Sequence, residues 1–121
     1  MWEFKDSSPI YLQIIAIIRT GILNSTYPPG SKLPAVRELA LQAGVNPNTM
    51  QRALSELERD GLIHTERTNG RFVTEDQTVL QTLARQMAEE RISELFQQLR
   101  NLGLTDTQII DMVQNWKGRE T

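Results

Sequence analysis

The residues best suited to chemistry in this chain lie in GVNPNTMQRALSELER, positions 44 to 59. Asn48, Thr49, Gln51 and Arg52 cluster hydrogen-bonding groups around a single formal charge. Asn and Gln can pair with adenine edges, Arg with guanine, and Thr with a base or a phosphate. Such pairing needs the side chains on one face of a rigid element. An advance of about 100° per residue from Pro47 places Met50, Ala53, Leu54 and Leu57 in one sector, the buried face. Asn48, Arg52, Ser55 and Arg59 fall almost opposite, with Gln51 on one edge and Thr49 nearer the other. Glu56 and Glu58 sit off this strip, so the outer face is polar, cationic and free of carboxylates. A helix start also presents unpaired N–H groups and partial positive charge, both suited to phosphate oxygens.

Local signals show how this helix is held. Asn46 supplies an N-cap and Pro47 the first helical position, where a missing N–H costs nothing. Gly44 fits the C-cap of a short preceding helix, opened by Pro34 and running to about Ala43, with Val36, Leu39 and Ala40 buried. Ahead of it, NSTYPPGSKLP reads as a loop. The first helix runs from Pro9, after a Ser8 cap, to about Asn24, with Ile10, Ile14, Ile17, Ile18 and Ile22 on one face. The reading helix ends at Gly61, Leu62 packing back over its last turn. LIHTERTNGRFVTE predicts a hairpin with Asn69-Gly70 as a two-residue turn, bracketed by Arg67 and Arg71, which are placed to straddle a phosphate or enter a minor groove. Helix, turn, polar-fronted helix and hairpin form the order of a winged helix-turn-helix.

From about Thr78 a long apolar stripe appears: Leu80, Leu83, Ala84, Met87, Ala88, Ile92, Leu95, Phe96 and Leu99. Leu102-Gly103-Leu104 ends it. Thr105 and Gln108 form a capping box for a last helix carrying Ile109, Ile110, Met112, Val113 and Trp116. The stripe spans about 20 residues, or ~30 Å, more than a small winged domain covers. A second copy is the expected cover, with Leu80, Leu83, Met87, Ile92, Leu95, Phe96, Leu99, Ile109, Val113 and Trp116 in the dimerisation surface. A two-fold pair would set two reading helices roughly 34 Å apart, one turn of double-stranded DNA, matching a palindromic operator. The expected fold is mainly α with a small β-hairpin: a winged helix-turn-helix DNA-binding domain over 1–76, then a two-helix dimerisation region over 77–121.

Composition removes several function classes. The 121 residues carry a net charge of −2, and residues 1 to 75 hold eight basic and eight acidic side chains. Nucleic-acid affinity must therefore come from local placement of cations. The absence of cysteine excludes disulfides and thiolate metal sites. His64, the single histidine, has no partner at metal-ligand spacing, and Glu89, Glu90 and Glu94 read as the wet face of a helix; no metal or cofactor is expected. No GxSxG, HExxH, Cys–His pair or phosphate-binding glycine loop is present, so no enzyme is expected. IIAII is too short to span a bilayer, and MWEFKDSSP lacks signal-peptide character, which points to a cytoplasmic protein. The rival reading is a protein-interaction module, which salt dependence of binding separates from DNA recognition. The two terminal helices leave little room for a pocket of about 300 Å³ within one subunit. An unidentified small-molecule effector at a dimer interface, near Met87 or Trp116, stays open.

Residues 9 to 74 resemble the winged-helix DNA-binding domain of the GntR family of bacterial transcription regulators. PIYLQI, PPGSKLPAVRELA, GVNPNTMQRALSELERDGLI and the NGRFV of the wing carry the resemblance. The remainder looks like the short YtrA-type subgroup, which lacks the large effector-binding domain of other branches. The resemblance implies a transcription regulator, expected to be a repressor. It implies a backbone or groove-edge contact for Arg37 and a phosphate contact for Lys32. It matches Asn48, Thr49, Gln51 and Arg52 to the reading positions, beside the cap residue Asn46. Gly70 matches the wing glycine, flanked by Asn69 and Arg71. Ala35 and Val36 stand where many relatives have Ser and Glu, and Pro47 and Gln51 where many have Arg, so base preferences do not carry over.

Overall fold

The computed structural model describes residues 1–118; the last three residues of the helical region expected over 77–121 lie outside them. The elements are α1 (Ile10–Leu23), α2 (Val36–Ala43), α3 (Pro47–Arg59), β1 (Ile63–Glu66), β2 (Gly70–Val73), α4 (Gln77–Arg100) and α5 (Asp106–Gln114). Contacts group residues Met1–Thr82 into one compact unit and those from Leu83 onward into another, with the division inside α4.

In the first unit, α1 and α2 both pack on α3. The face that helical spacing assigns to the interior is the one buried: Met50, Ala53, Leu54 and Leu57 have no exposed surface. Ile14, Ile18 and Ile22 of α1, Leu39, Ala40 and Ala43 of α2, and Leu62, Ile63 and Val73 beside the hairpin complete the core. Each large side chain buried this way contributes roughly 1.5–3 kcal/mol of transfer free energy.

Helix starts differ from expectation where distant residues intervene. Ser8 does not cap α1; Pro9 holds the cap position without a side-chain bond. Instead the Gln13 amide donates to the carbonyls of Lys5 and Ser8 at 2.7 and 2.9 Å, and its oxygen accepts the Lys5 N–H at 2.8 Å. Helix α2 starts at Val36, after Ala35, and Val36 is only half-buried. The cause is upstream. Ser31–Leu33, read as loop, pairs along the outer edge of β2: Val73 N–H donates to Ser31 at 2.9 Å and Leu33 N–H to Arg71 at 2.8 Å. The extended backbone continues through Ala35 (φ −62°, ψ 156°), so the helix begins only at Val36.

The hairpin also departs from the Asn-Gly expectation. Glu66 pairs with Gly70, and Arg67, Thr68 and Asn69 make the reversal. Asn69 N–H closes it on the Glu66 carbonyl at 3.0 Å. Positive φ, 100°, falls on Gly70 and not on Asn69, so this is a three-residue loop and not a two-residue primed turn.

Helix α4 is started by Asp76, whose carboxylate accepts the Thr78 N–H at 2.9 Å. The capping box of Thr105 and Gln108 starts α5 as the spacing predicts. Arg100 donates twice to Asp106, at 2.7 and 2.9 Å, across the turn between α4 and α5. The hydrogen bonds from Arg100 hold the Asp106 carboxyl below the usual carboxylate range, and the same bonds raise the guanidinium. A depressed acid contributes stability that is complete above its unfolded value of about 3.9 and is lost as pH falls through the lower folded value. In thermal melts from pH 6 to pH 2, Asp106→Asn should therefore show a shallower acid loss than wild type, and 1 M salt should narrow the gap because the pair is exposed.

Candidate nucleic-acid interface

Backbone geometry delivers the start of α3 to solvent. Gly44 is left-handed (φ 75°, ψ 36°) and ends α2, with the N–H groups of Gly44 and Val45 both donating to Ala40 at 2.8 and 3.0 Å. A residue with a Cβ is strained in this left-handed conformation, so the position favours glycine. The Asn46 side chain then accepts the Asn48 N–H at 2.7 Å, and Pro47 needs no partner. N–H groups of the first turn remain directed outward at a point where Asn48 is exposed.

Of the residues singled out by sequence, Lys32, Arg37, Asn46, Asn48, Arg52, Arg67, Asn69 and Gly70 are exposed, and Thr49, Gln51 and Arg71 half-buried. Two of them are joined. Arg71 Nη2 donates to Gln51 Oε1 at 3.3 Å, while Gln51 Nε2 donates to Ser55 Oγ at 3.2 Å. Arg71 thus braces the wing on α3, and Arg67 is left as the cation at the wing tip. The Thr65 hydroxyl donates to the Glu58 carboxylate, a second tie between hairpin and helix. Lys32, on the strand edge beside β2, lays its stem over Gly70, where an added Cβ would meet Lys32 Cε at 2.9 Å. His64 stacks on Phe72 with centroids 6.0 Å apart.

The acids near α3 are engaged. Glu56 pairs with Arg59 at 3.4 Å and Asp60 with Arg19 at 2.9 Å. Sequence reading missed one contact: the Arg52 guanidinium lies 3.7 Å from the centre of the Tyr11 ring on α1. Two residues so far apart in the chain share no local signal.

In the second unit, Leu95, Leu99, Ile109, Met112, Val113 and Trp116 line an apolar groove of about 390 Å³. Sequence reading expects α4 and α5 to leave little room for a pocket of about 300 Å³; the groove between them is larger than that and open to one side. Along the stripe, Leu80, Leu83 and Ile109 are buried within the chain, and Met87, Phe96 and Leu99 half-buried. Ile92, Leu95, Val113 and Trp116 are exposed, Trp116 at 72%.

A capped helix presented after a left-handed turn, with a hairpin braced against it, defines a winged helix-turn-helix DNA-binding protein. Residues 10–73 match the model of the bacterial regulatory proteins of the gntR family. The chain belongs to that family of transcriptional regulators. It is 41% identical over 92 residues to the HTH-type transcriptional repressor YtrA of Bacillus subtilis, covering 75% of this chain and 71% of that one. Its structure is similar to a GntR family transcriptional regulator from Listeria monocytogenes (TM-score 0.83, 39% identity, 94% of this chain and 100% of that one). It is also similar to AraR(DBD) in complex with operator ORX1 (TM-score 0.55, 28% identity, 61% of this chain and 93% of that one). Among the described residues no helix is long and apolar enough to cross a membrane.

The cap makes the helix start testable without DNA. Asn46→Ala should lower unfolding free energy by about 0.5–2 kcal/mol, and Asn46→Gly by only a few tenths. Urea titrations with equal m-values for the variants would read the difference, and an equal loss for both would dismiss the side-chain bond as the cause.

Proposed function

We propose that the protein is a homodimeric, sequence-specific repressor of transcription that binds a palindromic operator. The observation that carries this reading is the front of α3: solvent-facing polar and cationic side chains whose neighbouring acids are engaged elsewhere. Asn48 and Gln51 suit adenine edges, Arg52 guanine, and Thr49 a base or phosphate. Lys32 and Arg37 suit flanking phosphates, and the Asn46 cap keeps the N–H groups of the helix start in place for one more. Arg67, Asn69 and Gly70 form a wing tip that fits a groove, with Arg71 as its brace. The operator bound by AraR(DBD) and the repressor name of YtrA support DNA as partner and repression as outcome.

Dimerisation is supported by apolar surface. Leu95, Leu99, Met112, Val113 and Trp116, with Ile92 also exposed, offer a face that a second copy would cover, with Ile109 buried beneath the groove; Leu80, Leu83, Met87 and Phe96 belong to the same apolar stripe. Pairing matters because a chain of net charge −2 attracts DNA weakly at long range, so two reading heads must act on one site. A DNA regulator of this kind works in the cytoplasm.

Fluorescence anisotropy with DNA from upstream of the gene, random DNA as competitor, tests it. Six to ten phosphate contacts per dimer should lower affinity by about 10³–10⁵ between 50 and 200 mM salt. Salt-independent binding would favour a protein-interaction module instead. Arg52→Ala should cost about 1–3 kcal/mol and relax one base pair in each half-site. Val113→Glu should give monomers in sedimentation and abolish two-chain occupancy of the operator; a dimer that survives it would move the interface elsewhere.

A further inference from the structure

Arg52 carries the only charge in the first half of α3, since the other cation of the helix, Arg59, is paired with Glu56 near its end. Reading guanine demands a planar fork held at one angle, because both N–H donors must reach the base together. An arginine on an exposed helix surface does not hold one angle unaided, and on α3 itself nothing neighbouring Arg52 is aromatic. The constraint comes from α1. The Arg52 guanidinium carbon sits over the Tyr11 ring, 3.7 Å from its centroid, and the tyrosine is itself half-buried. Ile14, Ile15 and Ile18 follow it on the same helix and are buried in the core, so the backbone that carries the ring is anchored by packing. Stacking uses the face of the guanidinium and leaves its N–H edge free. Gln51 is held in a parallel manner from outside the helix front, by Arg71 of the wing.

We propose that Tyr11 is a positioning residue for Arg52, and so a determinant of base preference that lies outside the helix-turn-helix. This rests on the DNA-reading role proposed above for α3. The ring orients the fork before DNA arrives, so that the helix docks with one of its readers already placed. The hydroxyl is not needed for this; the ring is.

The test uses the full chain and an operator selected by the wild-type protein from a random DNA pool, with every single-base variant of that site then measured by anisotropy. Tyr11→Leu should weaken binding to the best site by about two- to fivefold and flatten preference at the same base pair that Arg52→Ala flattens. Tyr11→Phe should restore both affinity and preference. In an Arg52→Ala background, Tyr11→Leu should have no further effect. A Tyr11→Leu loss that falls equally on operator and random DNA, or persists in the Arg52→Ala background, would reduce Tyr11 to a core residue and overturn the proposal. So would an unchanged preference profile. Should Tyr11→Leu fail to fold, the Arg52 Nε–H resonance of the wild-type complex decides: a ring-current displacement upfield supports the stack on DNA, and the free-arginine position overturns it. A wild-type protein that selects no sequence overturns the reading of α3 together with this inference, whereas selection with an unaltered Tyr11→Leu profile overturns this inference alone.

Discussion

The burial of one face of α3 is the contact on which the reading head depends. Met50, Ala53, Leu54 and Leu57 are enclosed by α1 and α2, and their enclosure sets the rotation of the helix about its axis. Interiors are close-packed, so this angle has little freedom. Sliding the apolar set by one residue would turn the helix by about 100° and carry Asn48 and Arg52 off the outward strip. Hydrophobic burial has no direction of its own, yet on a helix of fixed period it decides which polar groups face a partner.

A second layer of polar ties refines what burial sets. The Asn46 cap fixes the first turn, Arg71 and Thr65 bind the hairpin to Gln51 and Glu58, and Arg19 secures Asp60 at the far end. Apart from the cap, exposed ties of this kind contribute little to stability, a few tenths to about 1 kcal/mol each. Their effect is geometric and electrostatic: they hold wing and helix in one frame, and Arg19 neutralises the Asp60 carboxylate that would repel a polyanion. A chain without an excess of positive charge can recognise a phosphate backbone only through such placement.

Much of this was legible in the sequence because it is local. The buried and exposed faces of α3 follow from helical period, the starts of α3 and α5 from caps within three residues, and the end of α2 from Gly44. The failures are equally instructive. Ser8 looked like a cap, but Gln13 reaches back to the preceding segment instead. Pro34 has the character of a helix start, but the residues before it bridge to the edge of β2 and the helix begins at Val36. Asn69-Gly70 looked like a whole turn, yet register across the hairpin assigns the reversal to Arg67, Thr68 and Asn69. In the Pro34 case a segment distant in the chain competed with a local propensity and won, and in the other two a neighbouring group a few residues away did so, as context does when propensities differ by less than about 1 kcal/mol.

The sequence alone determined the order of elements, the polar strip of α3 and the apolar character of α4 and α5, because these rest on period, capping and turn chemistry within a few residues. Tertiary structure alone decided the rest. It laid Ser31–Leu33 along β2, tied Arg71 to Gln51, set Tyr11 beneath Arg52, and opened an apolar groove between α4 and α5. Those are relations between residues far apart in the chain, and no local preference encodes a distance that exists only once the core has closed.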